Sequence, residues 1–221
     1  MSSNNLYNQK WQKFLKRVWP FSFIPFVDFV LAAGSLTTGN MHEESDFDVI
    51  VGVRQGRIFT ARAFCILVFG LFGWRRKGKD HKNSASDKIC FSHFVTPQAY
   101  RLSPPHNNYW KNLYKNLVPV YGESAIIQKF FDANADWMQF RKIYESGKQH
   151  IYKVKGLIKK FGEYLLGGNF GDWLEKILKS IQISRIAKNL NLQSGYKPRI
   201  IYNDKELEFH PDIKRIEDYL S

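Results

Sequence analysis

Over its first hundred residues the chain alternates between apolar runs and polar breaks, and the spacing separates helices from strands. Residues 5–19 set Leu6, Trp11, Leu15 and Val18 on an irregular apolar stripe, which predicts a helix ended by Pro20 and Pro25. Phe26 to Ala33 (FVDFVLAA) is a nearly continuous run of β-branched, aromatic and small apolar residues, the pattern of a buried strand, and Gly34-Ser35 breaks it. Asp46 to Val53 (DFDVIVGV) predicts a second strand closed by Gln55-Gly56, and Lys88 to Thr96 (KICFSHFVT) a third stopped by Pro97. Between these two, residues 57–74 are long enough for a helix and apolar enough to be buried against a sheet. A basic polar loop, 75–87, leads into the third strand.

After Pro104-Pro105 the texture changes. Residues 108–117, 124–143, 150–166 and 172–191 read as helices, 198–209 as a hairpin or added strand turning at Asn203-Asp204, and 212–220 as a terminal helix. The expected fold is α/β (α+β): a small mixed-sheet core with an N-terminal helix in residues 1–104, then a mainly helical substrate-side part, 105–221, with a late strand or hairpin.

Composition narrows the class. Of 221 residues 44% are hydrophobic and 24% charged, the balance of a globular chain. Two cysteines, Cys65 and Cys90, exclude a disulfide scaffold and a four-cysteine zinc site. The longest apolar run, Ala63 to Trp74, is shorter than the roughly 18 residues that a membrane-spanning helix needs. The first residues lack the charge-then-apolar order of a secretory signal. A cytoplasmic protein with no membrane partner is expected. Charge adds a partner class: 33 Lys and Arg against 20 acids give +13, which attracts polyanions. Residues 151–199 hold ten bases and three acids, so the excess is concentrated there, as a solvated face or as a surface for an acidic partner.

The chemistry is concentrated in residues 34–48, GSLTTGNMHEESDFD. Gly34 permits a sharp exit from the first strand and close backbone approach. Ser35 begins a predicted short helix whose free N–H groups favour phosphate, and Gly39 lets the chain turn back. Asp46 and Asp48, two apart on a predicted strand, project from the same face. Paired hard oxygen ligands beside a phosphate site suit Mg²⁺, and two such ions would clamp the attacking and leaving oxygens of an in-line displacement at phosphorus.

Gly34-Ser35 followed by Ser45-Asp46-Phe47-Asp48 resembles the signature of the DNA polymerase beta-like nucleotidyltransferase superfamily. Residues 56–62 (GRIFTAR) and 87–95 (DKICFSHFV) are similar to its small stand-alone prokaryotic members, and the likeness extends over about 26–103. The resemblance implies transfer of a nucleoside monophosphate from an NTP to a hydroxyl, with release of pyrophosphate. Asp46 and Asp48 would hold two Mg²⁺ ions, or Mn²⁺ in their place, and Gly34, Ser35, Gly39 and Ser45 would bind the nucleotide. Leu36, Thr37 and Thr38 stand where many relatives carry basic residues, which leaves a backbone role there. The superfamily adds a third carboxylate from a later strand. Asp87 is the first candidate, its face continuing through Ile89, Phe91 and His93, and Asp80 the second.

Lesser signals surround this motif. Arg75, Arg76, Lys77, Lys79 and Lys82 could meet a triphosphate or an RNA backbone, or be solvated loop charge. Arg57 and Arg62 flank the entry to the long helix, suited to the nucleotide or to ion pairs. His42 lies inside the motif loop; His93, His210, Cys65 and Cys90 read as structural or packing residues. Two alternatives stay open beside RNA-directed transfer. One is a protein-adenylylating or small-molecule nucleotidyltransferase; the other is a non-catalytic RNA-binding protein with a relic site.

Overall fold

The computed structural model describes residues 3–77, 85–104, 106–144, 156–189 and 199–210. The terminal helix expected over 212–220 lies outside them, as do Lys79, Asp80, Lys82 and the start of the helix expected from residue 150. Among the described residues the fold is mixed α/β, eight helices on a six-stranded sheet. Helix α1 (Ser3–Val18) leads through a 3-10 turn (Trp19–Ser22) into strand β1 (Val27–Ala33). The one-turn α2 (Ser35–Thr38), β2 (Phe47–Val53), α3 (Ile58–Leu71) and β3 (Ile89–Val95) follow. Then come α4 (Asn108–Lys115), β4 (Val118–Gly122), α5 (Ser124–Asp132) and α6 (Ala135–Met138). The chain closes with α7 (Leu157–Leu165), α8 (Asn169–Asn189), β5 (Arg199–Tyr202) and β6 (Glu206–His210).

The strand order is β4-β1-β2-β3-β6-β5. Every neighbour is antiparallel except β2 and β3, whose parallel pairing is reached by crossover through α3. The texture change at residue 104 is therefore not an edge of the sheet, because β4, β5 and β6 extend it on both sides. Strand β4 interrupts a region expected to be helical. Its Pro119 cannot donate to a ladder and is compatible only with an edge, which is where β4 lies.

Alternation along the strands fills two cores. Val30 and Ala32 of β1 and Phe47, Val49 and Val51 of β2 pack with Trp11 and Phe14 of α1 and Ile58, Cys65 and Phe69 of α3. Phe29, Leu31 and Ala33, with Ile50 of β2, face Trp110 and Tyr114 of α4, Phe130 of α5 and Trp137 of α6. The helix expected over 124–143 is broken at Asn134, a fully buried residue with its hydrogen-bonding capacity used in full. Its Oδ1 accepts from Leu102 N and Trp137 Nε1, and its Nδ2 donates to the carbonyls of Tyr100 and Phe130.

Helix α3 begins without a side chain of its own to cap it. The buried Glu175 of α8 accepts from Phe59 N at 2.9 Å, and from Thr60 N at 2.8 Å and Thr60 Oγ1 at 2.5 Å. Two orphan donors of the first turn are satisfied in this way, by a negative charge at the positive end of the helix. Arg57 donates to the carbonyls of Leu166 and Gly167 and pairs with Asp172, while Arg62 donates to Gln182 and lies over the Phe209 ring. Both arginines join α3 to the C-terminal elements. The β5–β6 hairpin is joined to β3 where His93 meets Glu206 at 3.0 Å, and within the hairpin Arg199 of β5, stacked over Trp110, meets the buried Glu208 of β6 at 2.7 Å. No helix among the described residues is long and apolar enough to cross a membrane.

Candidate active site

Three adjacent strands converge on one point. Ala33 of β1 pairs with Asp48 of β2, and Asp48 pairs with Cys90 of β3, so Ala33, Asp48 and Cys90 succeed one another across the sheet, with Gly34 the next residue after Ala33. Asp46, two residues before Asp48, shares its side of the strand. Ligand oxygens of Asp46 and Asp48 and the Cys90 Sγ all lie within 4.8 Å of one another. The expected pairing of the two carboxylates is thus present, and the bend beside them is closer than alternation alone would give. Gly34 has φ +69, and a Cβ on it would stand 2.3 Å from Asp48 Oδ2. Only glycine fits there, for both its conformation and the space it leaves to the carboxylate.

Crowding shows in the acidities. Burial, and then the charge of Asp46, push the Asp48 carboxyl up to about 7, against the attraction of Arg76 and the Cys90 thiol. Burial and the same two carboxylates push the Cys90 thiol well above its ordinary value. One cation already meets the pair: Arg76 Nη1 donates to Asp46 Oδ2 at 2.6 Å. The donor set, two hard carboxylate oxygens with a guanidinium standing where positive charge is wanted, fits a divalent ion such as Mg²⁺ or Mn²⁺. A protonated thiol adds little to such a site.

The other expected residues divide. Ser35 opens α2, whose Thr37 and Thr38 donate both N–H and hydroxyl to the Gly34 carbonyl. Gly39 (φ +78) ends that turn, exposed. Ser45 acts within its own loop: its Oγ accepts from His42 N at 2.8 Å, and His42 itself is exposed. Asp87 is not brought to the pair. It sits in a turn ahead of β3 with φ +61, on the α1 side, where its carboxylate meets Lys10 at 2.8 Å and Lys13 at 2.7 Å. Burial opposes its ionisation, but the two ammonium groups outweigh that and hold its carboxyl below the ordinary range. Arg17 of α1 donates to its carbonyl as well. The physical reason is strand parity: an expected face running through Ile89 and Phe91 is the α1 and α3 face, whereas Asp48 aligns with Cys90.

Sequence reasoning missed Lys10 and the position of Cys90. Lys10 is buried, and its Nζ donates to the carbonyls of Glu43 at 2.5 Å and Ser45 at 3.1 Å while pairing with Asp87. It therefore fixes the loop that delivers Asp46. A lysine on a polar helix carries no signal of this, because its partners lie more than thirty residues away. Cys90 was legible only with the β2–β3 register, which the sequence does not state. Arg76, by contrast, belongs to the basic loop already singled out.

Comparison of the chain with protein-family models, curated proteins and solved structures finds no match.

Proposed function

We propose that the protein is a metal-dependent nucleotidyltransferase that moves a nucleoside monophosphate from an NTP to a hydroxyl, with RNA the favoured acceptor. The observation that carries this reading is the Asp46–Asp48 pair set against the Gly34 bend. Asp46 and Asp48 would hold the divalent ion, which supplies charge neutralisation and orientation at the triphosphate. Gly34, having no Cβ, keeps open the space beside the carboxylates, and Ser35 and Gly39 shape the turn facing it. In the reaction the acceptor oxygen bonds to the α-phosphorus, the bond from that phosphorus to the bridging oxygen breaks, and the hydroxyl proton leaves to a base as pyrophosphate departs. Asp87 stays in its ion pairs with α1 and takes no part. The +13 charge supports a polyanionic acceptor, although Lys159 and Lys179 of the basic stretch are engaged within the fold, the first with the Val27 carbonyl and the second with Asp204.

The test is label transfer from α-³²P-NTPs to total RNA and total protein in the presence of Mg²⁺ or Mn²⁺. Asp46→Asn and Asp48→Asn are each expected to lower transfer by about 10³-fold or more with circular dichroism unchanged. Unchanged transfer in either variant rejects the assignment. Labelled protein in place of RNA would favour the adenylylating alternative. One observation favours the relic reading: among the described residues the third group beside the pair is a thiol where a carboxylate is expected. That reading requires salt-sensitive RNA binding that survives both substitutions, without pyrophosphate release.

A further inference from the structure

Resting on the nucleotidyltransferase reading, the site carries a device of its own. We propose that Arg76 is an exchangeable counter-ion, which neutralises Asp46 in the metal-free protein, yields that carboxylate to the divalent ion, and then binds the triphosphate. The charge arrangement requires something of this kind. Two carboxylates share one small space, and among the described residues the guanidinium of Arg76, 2.6 Å from Asp46 Oδ2, is the cation paired with them. A divalent ion balances both. Its arrival also makes the guanidinium a like charge beside it, which weakens the hold of Arg76 on Asp46 Oδ2 and favours its release.

The local build allows such a switch without backbone movement. The main chain at Arg75-Arg76 is stitched to the head of β3: Ile89 N donates to the Trp74 carbonyl at 2.7 Å and Arg76 N to the Ile89 carbonyl at 3.0 Å. The Arg76 side chain, in contrast, is 38% exposed and needs only a change of rotamer. Lys10 and Lys13 are committed to Asp87 and to the motif loop, so they hold the site together and do not exchange with its ligands. Guanidinium is also the cation best matched to phosphate oxygens, through paired N–H donors. The residue that blocks the metal in the absence of nucleotide is thereby the residue that rewards the nucleotide for bringing it.

Two affinities decide it, measured on the full chain: Mn²⁺ alone, by the electron paramagnetic resonance of free Mn²⁺, and α,β-methylene-ATP at saturating Mn²⁺, by calorimetry. Arg76→Gln is expected to bind Mn²⁺ alone roughly three- to tenfold more tightly, and the analogue roughly tenfold more weakly. Arg76→Lys is expected to shift both in the same directions by less, and serves if the glutamine variant does not fold. General loosening of the site would weaken both affinities, so the opposite signs are diagnostic. Mn²⁺ affinity that is unchanged or reduced, or analogue affinity fully retained, overturns the exchange. Asp46→Asn separates the two levels: if it loses Mn²⁺ that the wild type binds, the metal site stands and the Arg76 variants alone decide. If neither the wild type nor Arg76→Gln binds Mn²⁺, or Asp46→Asn binds it as the wild type does, the underlying reading and the exchange both fall.

Discussion

At the scale of single residues, Asp48 places a measurable burden on the fold. Its carboxyl, raised from 3.8 to about 7 by burial and by Asp46, keeps a proton in the native state that the unfolded chain gives up at lower pH. Native protein then binds more protons than unfolded protein between those values, so stability falls as pH rises through that window. Asp48→Asn is expected to stabilise the metal-free protein by about 1–3 kcal/mol at pH 7.5, with the gain vanishing below about pH 4. Urea unfolding across that pH range checks it, and a gain that is independent of pH would contradict it. Added Mn²⁺ should stabilise the wild type and leave the variant unmoved. This residue pair and the bend beside it were legible in the sequence, because glycine conformation and two-residue periodicity are local properties. Lys10, Cys90 and the true surroundings of Asp87 were not, since each depends on which strand lies next to which.

Elements were legible wherever hydrophobic period and breakers agreed. The first three strands and the late hairpin lie within one residue of expectation, and the long apolar helix, expected over 57–74, ends three residues early at Leu71. Strand β4 was not, because five residues containing Pro119 look like a connector until a sheet edge is available to receive them. The break at Asn134 was equally hidden: a polar residue in an amphipathic stretch reads as surface, while its four hydrogen bonds bury it. Helix α3 shows how far apart cooperating parts can be. Its first turn is capped by Glu175, more than a hundred residues later, which makes α8 part of the support beneath β2 and β3. Glu175→Ala leaves buried donors at Phe59 and Thr60 without a partner, and a loss of about 3 kcal/mol is expected in urea unfolding. Glu175→Gln, which keeps an acceptor without the charge, should lose clearly less.

For the whole molecule, the change of texture at residue 104 suggests two parts, whereas the sheet uses strands from both sides of it. Residues 1–104 alone would lack the partners of β1 and β3 on their outer sides. They would also lack Trp110, Tyr114 and Phe130, which cover Phe29 and Leu31. A fragment of residues 1–104 is therefore expected to show no cooperative thermal transition, while the full chain melts in one step; a sharp melt of the fragment would establish an independent domain. The same topology bears on synthesis. A ribosome delivers β3 some 110 residues before β6, which at 5–20 residues per second is roughly 5–20 s. Throughout that interval the outer edge of β3 offers bare amide and carbonyl groups to any neighbouring nascent chain, so crowding on polysomes, more than the finished protein's stability, would limit its yield of soluble product.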